Sequence, residues 1–198
     1  MLGERREKFK RIEIILGKIF SKFNLSPNQY TLLALLLAFF CFLFLVFQKF
    51  TLALIFFVSC SILDLIDGAV ARFLKGETKK GAFLDTIIDR YVEGLILAGF
   101  LFLPLKDFFL PAEVWVFLAL FGSLMTTYTK AAAKEKELIL KEMERGIFGR
   151  GERMIFIFLA IFLSLFNLNL ALYPILILAI FSNLTSFQRI FLALKSQI

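Results

Sequence analysis

Four aspartates in an otherwise apolar part of the chain are the residues best suited to do chemistry. Asp64 and Asp67 are three residues apart, and Asp85 and Asp89 are four apart, so each pair shares one face of a helix. Carboxylates inside an apolar segment are costly, and by default they mark a functional site. Four of them in a small volume would repel one another, and some would stay protonated unless a cation lay between them. The pattern predicts two neighbouring helices whose acidic faces meet around a metal ion.

The rest of the composition indicates which metal and which substrate. The chain has no His, and Cys41 and Cys60 lie in apolar stretches without metal-ligand spacing. Oxygen ligands alone favour a hard cation such as Mg²⁺, Mn²⁺ or Ca²⁺, and two such ions would clamp a transferring phosphoryl group. Arg72, one turn after Gly68, is placed to hold a pyrophosphate through its guanidinium fork. We therefore expect two ions, held by Asp64, Asp67, Asp85 and Asp89, beside a phosphate-bearing substrate.

These residues must be positioned by helices that lie in a membrane. The chain of 198 residues is 60% hydrophobic and contains 27 Phe, more than a soluble domain tolerates. A membrane crossing takes roughly 20 apolar residues, and six stretches are long enough. The sequence predicts an all-α integral membrane protein, a single domain over 1–198. An amphipathic surface helix at 4–23 precedes six transmembrane helices near 28–48, 51–74, 81–105, 112–139, 150–168 and 171–194.

The distribution of Lys and Arg predicts the orientation in the membrane. Seven lie in the N-terminal segment, four in 72–80 and seven in 130–153, whereas the opposite connections hold only Lys49 and Lys106. Because cytoplasmic loops carry the excess of positive charge, both termini and the acidic site are expected to face the cytosol from the cytoplasmic membrane. The net charge of +7 lies at membrane boundaries, which favours contact with membrane lipids and phosphates over nucleic acid.

The acidic segment carries a resemblance to a known family. Residues 64–89 read D-L-I-D-G-A-V-A-R, then eight residues, then G-A-F-L-D-T-I-I-D. This segment resembles the signature of the CDP-alcohol phosphotransferase family, D-x2-D-G-x2-A-R-x8-G-x3-D-x3-D, at every fixed position. The resemblance implies a two-metal site made by the four aspartates, with Asp89 also serving as the proton acceptor. It further implies an acceptor alcohol that attacks the β-phosphate of a CDP-linked donor, departure of CMP, and a homodimer.

The same resemblance implies a binding site for CDP. The start of the first predicted span, Pro27-Asn28-x-x-Thr31, resembles the segment that contacts the nucleotide in the family. Thr78 matches a loop position that contacts CDP in some members. The implied CDP-binding residues are Asn28, Thr31, Asp67, Gly68, Arg72, Thr78 and Gly81.

Three cations in the second half indicate the acceptor. The segments Tyr128-x-Lys130, Gly146-Ile147-x-x-Arg150-x-Glu152-Arg153 and Gln188-Arg189 are similar to those of phosphatidylinositol-phosphate synthases and their archaeal relatives. This similarity implies that Lys130, Arg150 and Arg189 bind the phosphate of a phosphorylated small alcohol. The expected reaction joins a CDP-lipid, with diacylglycerol or archaeol, to inositol 1-phosphate.

Other functions remain open at this point. The stretch Ala131–Ala133 after Lys130 departs from the usual pattern of these synthases, which leaves glycerol 3-phosphate as another acceptor. A CDP-inositol donor would give a soluble phosphodiester instead of a lipid. Outside the enzymes, the aspartates would suit a divalent-cation transporter, although such a path gains nothing from Arg72 and the signature glycines. An inactive lipid-binding scaffold is disfavoured by the intact acids.

Overall fold

A computed structural model describes residues 13–76, 78–138 and 146–195. These residues are helical apart from turns and one isolated bridge between Phe108 and Leu110. The first helix, α1, is described over 13–20, and its predicted beginning at 4–12 lies outside the described residues. The following helices are α2 (Pro27–Val46), α3 (Phe50–Phe73), α4 (Lys79–Gly99), α5 (Ala112–Glu135), α6 (Arg150–Ser164) and α7 (Leu172–Lys195).

The helices confirm an all-α membrane protein. Within the described residues, four helical stretches are long and apolar enough to cross a membrane: Pro27–Val46, Phe50–Phe73, Ala112–Glu135 and Leu168–Lys195. The last of these includes the short 3₁₀ turn Leu168–Ala171 before α7. α4 is not among them because it carries several charges, and α6 has only 15 residues. The count of six crossings therefore stays a prediction.

Local hydrogen bonds move several helix ends away from their predicted positions. α4 begins at Lys79 instead of 81, because the Thr78 hydroxyl accepts the Gly81 N–H at 3.0 Å and caps the helix. At its other end α4 is followed by a 3₁₀ turn over Phe100–Phe102, short of the predicted 105. Pro104 lacks the N–H that a further helical turn would use.

The second half shows similar differences. α5 ends at Glu135 and not at 139, and Glu137 has a left-handed φ of 55°, which breaks the helix. α6 ends at Ser164 and not at 168, where the Asn167 side chain accepts the Asn169 N–H and starts the 3₁₀ turn. These shifts shorten the predicted segments without changing their order.

The helices pack in two groups that meet at the acidic residues. α2 packs most extensively on α3 and α4, whereas α7 packs on α5 and α6. Contacts of α3 with α6 and of α4 with α5 and α6 join the two groups. Small residues allow the close approach: a Cβ at Gly122 on α5 would lie 2.5 Å from the Asn183 amide nitrogen on α7.

Candidate active site

The acidic cluster lies where α3 and α4 face each other. One carboxylate oxygen from each of Asp64, Asp67 and Asp85 lies within 4.8 Å of the others. Asp67 is buried, and its Oδ2 accepts a 2.8 Å hydrogen bond from the Thr31 hydroxyl on α2. Three carboxylates at this separation form a donor set that suits a hard divalent cation. The predicted meeting of the two acidic pairs is thus found for three of the four residues.

Asp89 is close by but has a different partner. Its Oδ1 lies 2.6 Å from Nη2 of Arg150, at the start of α6. The same guanidinium donates to both oxygens of Asp64, at 2.9 and 3.2 Å. Arg150 therefore joins one acid of each pair, and Asp89 lies directly beside Asp64 at the edge of the group of three. Its roles as metal ligand and as base stay predictions.

A cavity of about 540 Å³ opens beside the cluster, between the N-terminal ends of α2 and α4 and the C-terminal end of α3. Its size is within the usual range of small-molecule sites, roughly 300–1,000 Å³. The residues predicted to contact CDP all line it: Asn28, Thr31, Asp67, Gly68, Arg72, Thr78 and Gly81. Asp85 lines the same cavity, so the space and the acidic cluster are continuous.

Two glycines keep this cavity open. A Cβ on Gly81 would lie 3.1 Å from the Thr78 hydroxyl and 3.2 Å from Oδ1 of Asn28, which would press on the cavity wall. Gly68 leaves room for the Arg72 guanidinium, whose nitrogens would be 3.4 Å from a Cβ there. Arg72 is half-exposed and pairs with Glu13 of α1 at 3.1 Å. α1 thus contributes a carboxylate to the edge of the cavity.

The three predicted acceptor residues occupy two neighbourhoods. Arg150 lies at Asp64 and Asp89, as described above. Arg189 of α7 donates to the backbone carbonyl of Thr126 on α5, and its Nε would lie 3.3 Å from a Cβ on Gly146. Lys130 is partly buried one turn after Thr126 on α5. Among the described residues, the Nε atoms of three arginines, Arg90, Arg150 and Arg189, are buried without a hydrogen-bond acceptor.

Sequence reasoning missed a second buried charge cluster. Glu93 on α4 accepts hydrogen bonds from Arg90 on its own helix and from Arg153 on α6. A signal for it was present, because Glu93 follows Asp89 by four residues and continues the acidic face of Asp85 and Asp89. The family signature ends at Asp89, so none of its fixed positions marks Glu93.

An all-helical membrane protein with carboxylates clustered beside a nucleotide-sized cavity belongs to the class of membrane-embedded enzymes with an acidic, metal-type site. The particular family is shown by comparison with known proteins. Residues 24–191 match the model of the CDP-alcohol phosphatidyltransferase family, and the chain belongs to this family. The protein is accordingly a transferase, which confirms the family resemblance and removes the transporter interpretation.

Individual relatives are similar over most of the chain. An archaetidylinositol phosphate synthase of Pyrococcus horikoshii is 35% identical, covering 98% of this chain and 97% of the relative. A bifunctional IPC transferase and DIPP synthase of Aquifex aeolicus is 36% identical over 87% of this chain but only 40% of its own length.

A solved structure shows the same fold. The phosphatidylinositol phosphate synthase PgsA1 of Mycobacterium tuberculosis, with CDP-DAG bound, superposes with a TM-score of 0.79 at 25% identity, over 92% of this chain and 94% of that one. A second structure of that protein, in complex with manganese and citrate, gives a TM-score of 0.80 at 25% identity, over 91% and 88% of the two chains. Together with the Asp cluster, these structures support use of a divalent metal and a CDP-lipid donor.

Proposed function

We propose that the protein transfers the phosphatidyl or archaetidyl group of a CDP-lipid to inositol 1-phosphate and releases CMP. Two relatives named archaetidylinositol phosphate synthase match 98% and 82% of the chain, and the solved structure with the same fold is a phosphatidylinositol phosphate synthase. The observation that carries the proposal is the contact of Arg150 with Asp64 and Asp89. Through this contact, one of the three residues assigned to the acceptor's phosphate lies next to acids assigned to the donor's phosphates.

The donor's nucleotide is assigned to the cavity between α2, α3 and α4. Asn28, Thr31 and Thr78 offer polar side chains along its wall, while Gly68 and Gly81 leave the backbone open to close approach. Arg72 at the rim supplies a fork for the pyrophosphate. Mg²⁺ or Mn²⁺, as two ions held by Asp64, Asp67, Asp85 and Asp89, would neutralise phosphate charge and stabilise the departing CMP.

Asp89 is assigned as the general base. The hydroxyl oxygen of the acceptor attacks the β-phosphorus of the CDP-lipid and forms a new P–O bond. The P–O bond to the bridging oxygen breaks, and CMP leaves with the electron pair. The hydroxyl proton passes to Asp89, since a carboxylate is the available base in a chain without His. The position of Arg150 supports this assignment. Its Nη2 lies 2.6 Å from Oδ1 of Asp89, so an acceptor phosphate bound to this guanidinium would place the alcohol beside the Asp89 carboxylate.

The acceptor's phosphate is assigned to Lys130, Arg150 and Arg189. A dianion gains most from several cations that are partly desolvated, and the free Nε donors of Arg150 and Arg189 offer it hydrogen bonds. An unphosphorylated alcohol would leave these donors without a partner, at a cost of about 1–3 kcal/mol for each buried group. The proposal therefore includes discrimination against inositol and serine.

The test is CMP release in detergent with Mg²⁺ and a CDP-lipid, against a panel of acceptors. We expect turnover with inositol 1-phosphate to exceed that with glycerol 3-phosphate, free inositol or serine. Diacylglycerol and archaeol donors are compared in parallel, because the described residues do not separate them. A clear preference for glycerol 3-phosphate, or equal turnover with free inositol, would contradict the acceptor assignment.

A second candidate uses CDP-inositol as the donor and yields a soluble phosphodiester. It is favoured by relatives named bifunctional IPC transferase and DIPP synthase, three of which match at 34–37% identity. The same assay with CDP-inositol in place of CDP-lipid separates the candidates, because only one of the two products partitions into organic solvent.

The proposed setting is the cytoplasmic membrane, with six crossings, an N-terminal surface helix, both termini in the cytosol and one domain, assembled as a homodimer. Support comes from the excess of Lys and Arg at one set of helix ends and from the described helix at 13–20. Single cysteines introduced at Lys49 and Lys79 test the orientation. A membrane-impermeant thiol reagent added outside should label the first and not the second, and the reverse pattern would contradict it.

A further inference from the structure

The Glu93 cluster is a buried group of charges that the proposed reaction does not use. Glu93 and Arg153 are each 2% exposed. Arg153 donates from Nε to Oε1 of Glu93 at 2.5 Å and from Nη2 to Oε2 at 3.1 Å. Arg90 donates from Nη1 to the same Oε2 at 2.8 Å. Two guanidinium groups therefore share one carboxylate between α4 and α6.

Stability alone gives a weak reason for such a cluster. Burying charges costs free energy, and apolar replacements of similar size are often neutral or stabilising. A two-bond fork, in contrast, fixes both the distance and the rotation of the helices that carry it. The cluster is thus better suited to set geometry than to hold the fold together.

The cluster lies one helical turn from the residues of the site. Glu93 follows Asp89 by four residues on α4, and Arg153 follows Arg150 by three residues on α6. The fork between Glu93 and Arg153 therefore sets how Arg150 meets Asp89. One turn nearer the N-termini of α4 and α6, these two helices are also joined by the 2.6 Å contact between Asp89 and Arg150.

The cluster also reaches the second acceptor neighbourhood. Arg153 donates from Nη1 to the Thr126 hydroxyl at 3.1 Å, and the backbone carbonyl of Thr126 accepts from Arg189. Through Thr126, the single carboxylate of Glu93 is linked to α5 and α7 as well as α6. Both arginines assigned to the acceptor phosphate thus depend on it for their placement.

Glu93 has a further effect on the proposed base. Arg90 lies 2.8 Å from Glu93 and 3.8 Å from Asp89, so it stands between two carboxylates. With the charge of Glu93 removed, Asp89 is the nearest carboxylate to a buried guanidinium. Glu93 therefore holds the Arg90 guanidinium close to itself and sets its distance from Asp89.

We propose that Glu93 and Arg153 are positioning residues for the acceptor side of the site. Their fork holds α6 against α4 so that Arg150 faces Asp64 and Asp89, and it holds Thr126 where Arg189 can dock. Glu93 also holds Arg90 at 2.8 Å, so that Arg90 stays 3.8 Å from Asp89. The inference rests on the proposed function for the assignment of Arg150 and Arg189 to the acceptor, and it leaves the donor cavity unaffected.

The test compares Glu93→Gln and Arg153→Lys with the wild-type protein in the CMP-release assay. Glu93→Gln keeps the size of the side chain but removes its charge, and Arg153→Lys keeps the charge but removes the planar two-bond fork. Because a displacement of about 1 Å at a reacting centre costs on the order of 10²-fold, we expect the acceptor KM to rise at least tenfold, with a fall in kcat. The donor KM should stay within about twofold of wild type, since the cavity between α2 and α4 is built without this cluster.

A matched control separates positioning from loss of stability. Asn183→Ala removes two partly buried hydrogen bonds, one to the carbonyl of Leu118 on α5 and one to the carbonyl of Ala179 within α7. It should lower the thermal midpoint in detergent while leaving the acceptor KM unchanged. The Glu93 and Arg153 variants should raise the acceptor KM at a thermal midpoint no lower than that of Asn183→Ala.

Each outcome decides the inference. Unchanged acceptor kinetics in both variants, or an equal rise in donor and acceptor KM, would overturn it. If Glu93→Gln does not fold, Arg153→Lys carries the same expectation alone, because it retains the charge. The assay uses whichever acceptor the wild-type protein turns over best. A wild-type preference for another alcohol would therefore remove the proposed acceptor, while the split between donor and acceptor KM would still test Glu93 and Arg153.

Discussion

The cavity proposed for the donor and the arginine-rich side proposed for the acceptor, called the donor cavity and the acceptor side below, are built in different ways. The cavity between α2, α3 and α4 is an open space whose walls carry small or short polar side chains, such as Gly68, Gly81 and Thr78. The acceptor side is filled by arginines that already bind other parts of the protein, including Arg150 on the acids and Arg153 on Glu93. The shape of the donor cavity depends on glycines and short side chains, whereas that of the acceptor side depends on ion pairs.

This difference implies different sensitivities to mutation. A cavity kept open by glycines loses function when atoms are added, and the loss falls on the donor. A network of ion-paired arginines loses function when one partner is removed. The charge of the other partner then remains buried and unpaired, which favours its pairing with a different group of the site. Donor and acceptor kinetics should therefore separate cleanly between variants of the two regions.

The largest effect is expected where the two regions meet, at Asp89. Asp89→Asn keeps the shape of the side chain but removes the proposed base, so turnover should fall by about 10²–10⁴-fold. Binding of the CDP-lipid should be spared, because Asp89 is not among the residues that line the cavity. Single-turnover kinetics and donor titration measure the two quantities separately.

Asp107→Asn is the matched control for this change. Asp107 accepts the Ala112 N–H at 3.0 Å before α5, in the connection after α4, and an amide oxygen there retains that role. Its turnover should equal that of wild type. An equal loss of donor binding and turnover in Asp89→Asn would remove Asp89 from its assigned role.

On the acceptor side, Lys130→Ala and Arg189→Ala should each raise the acceptor KM. The loss of one charge-assisted hydrogen bond to a phosphate, at about 1.5–3 kcal/mol, corresponds to about 10–100-fold. The donor KM should not change. Steady-state kinetics with each substrate varied in turn provides the measurement, and unchanged acceptor KM values in both variants would show that the phosphate binds elsewhere.

On the donor side, Gly81→Ala should raise the donor KM by a smaller factor, about fivefold to tenfold. The added Cβ would press on Thr78 and Asn28 at 3.1 and 3.2 Å, so the cavity wall has to shift by a few tenths of an ångström. Ala is favoured over Gly in a helix by about 1 kcal/mol, but crowding of the capping Thr78 opposes this gain, so any gain in stability should be smaller than in Gly94→Ala.

Gly94→Ala on the same helix is the control, because its Cβ would meet no atom within 4 Å. It should gain stability without a change in donor KM. If both alanine variants behaved alike, Gly81 would have no special part in the cavity.

The difference between the donor cavity and the acceptor side also explains which features of the site could be predicted from the sequence. The donor cavity depends on a short segment whose residues come together through two consecutive helices, so the spacing of Asp64, Asp67 and Asp85 was enough to predict their meeting. The order of the helices was equally accessible, since long apolar stretches show it directly. The exact ends of helices such as α6 could not be predicted from the sequence, because they depend on side-chain hydrogen bonds such as the one that Asn167 accepts.

The acceptor side was harder to predict for a physical reason. Its contacts join residues distant in the chain, such as Arg150 with Asp64 and Arg153 with Glu93, and helical spacing alone does not specify which helices pack together. The resemblance to known synthases supplied Lys130, Arg150 and Arg189, but it did not indicate that Arg150 and Arg189 lie in separate neighbourhoods. Glu93 was missed because no signature position contains it.

The most direct test of the account concerns the acidic cluster of α3 and α4. Mn²⁺ added to the purified protein can be located by anomalous scattering in crystals and titrated by electron paramagnetic resonance in detergent. The account predicts Mn²⁺ between Asp64, Asp67 and Asp85, with binding abolished in Asp67→Asn and retained in Asp107→Asn. An absence of bound Mn²⁺ at this cluster, or equal binding by Asp67→Asn, would contradict it.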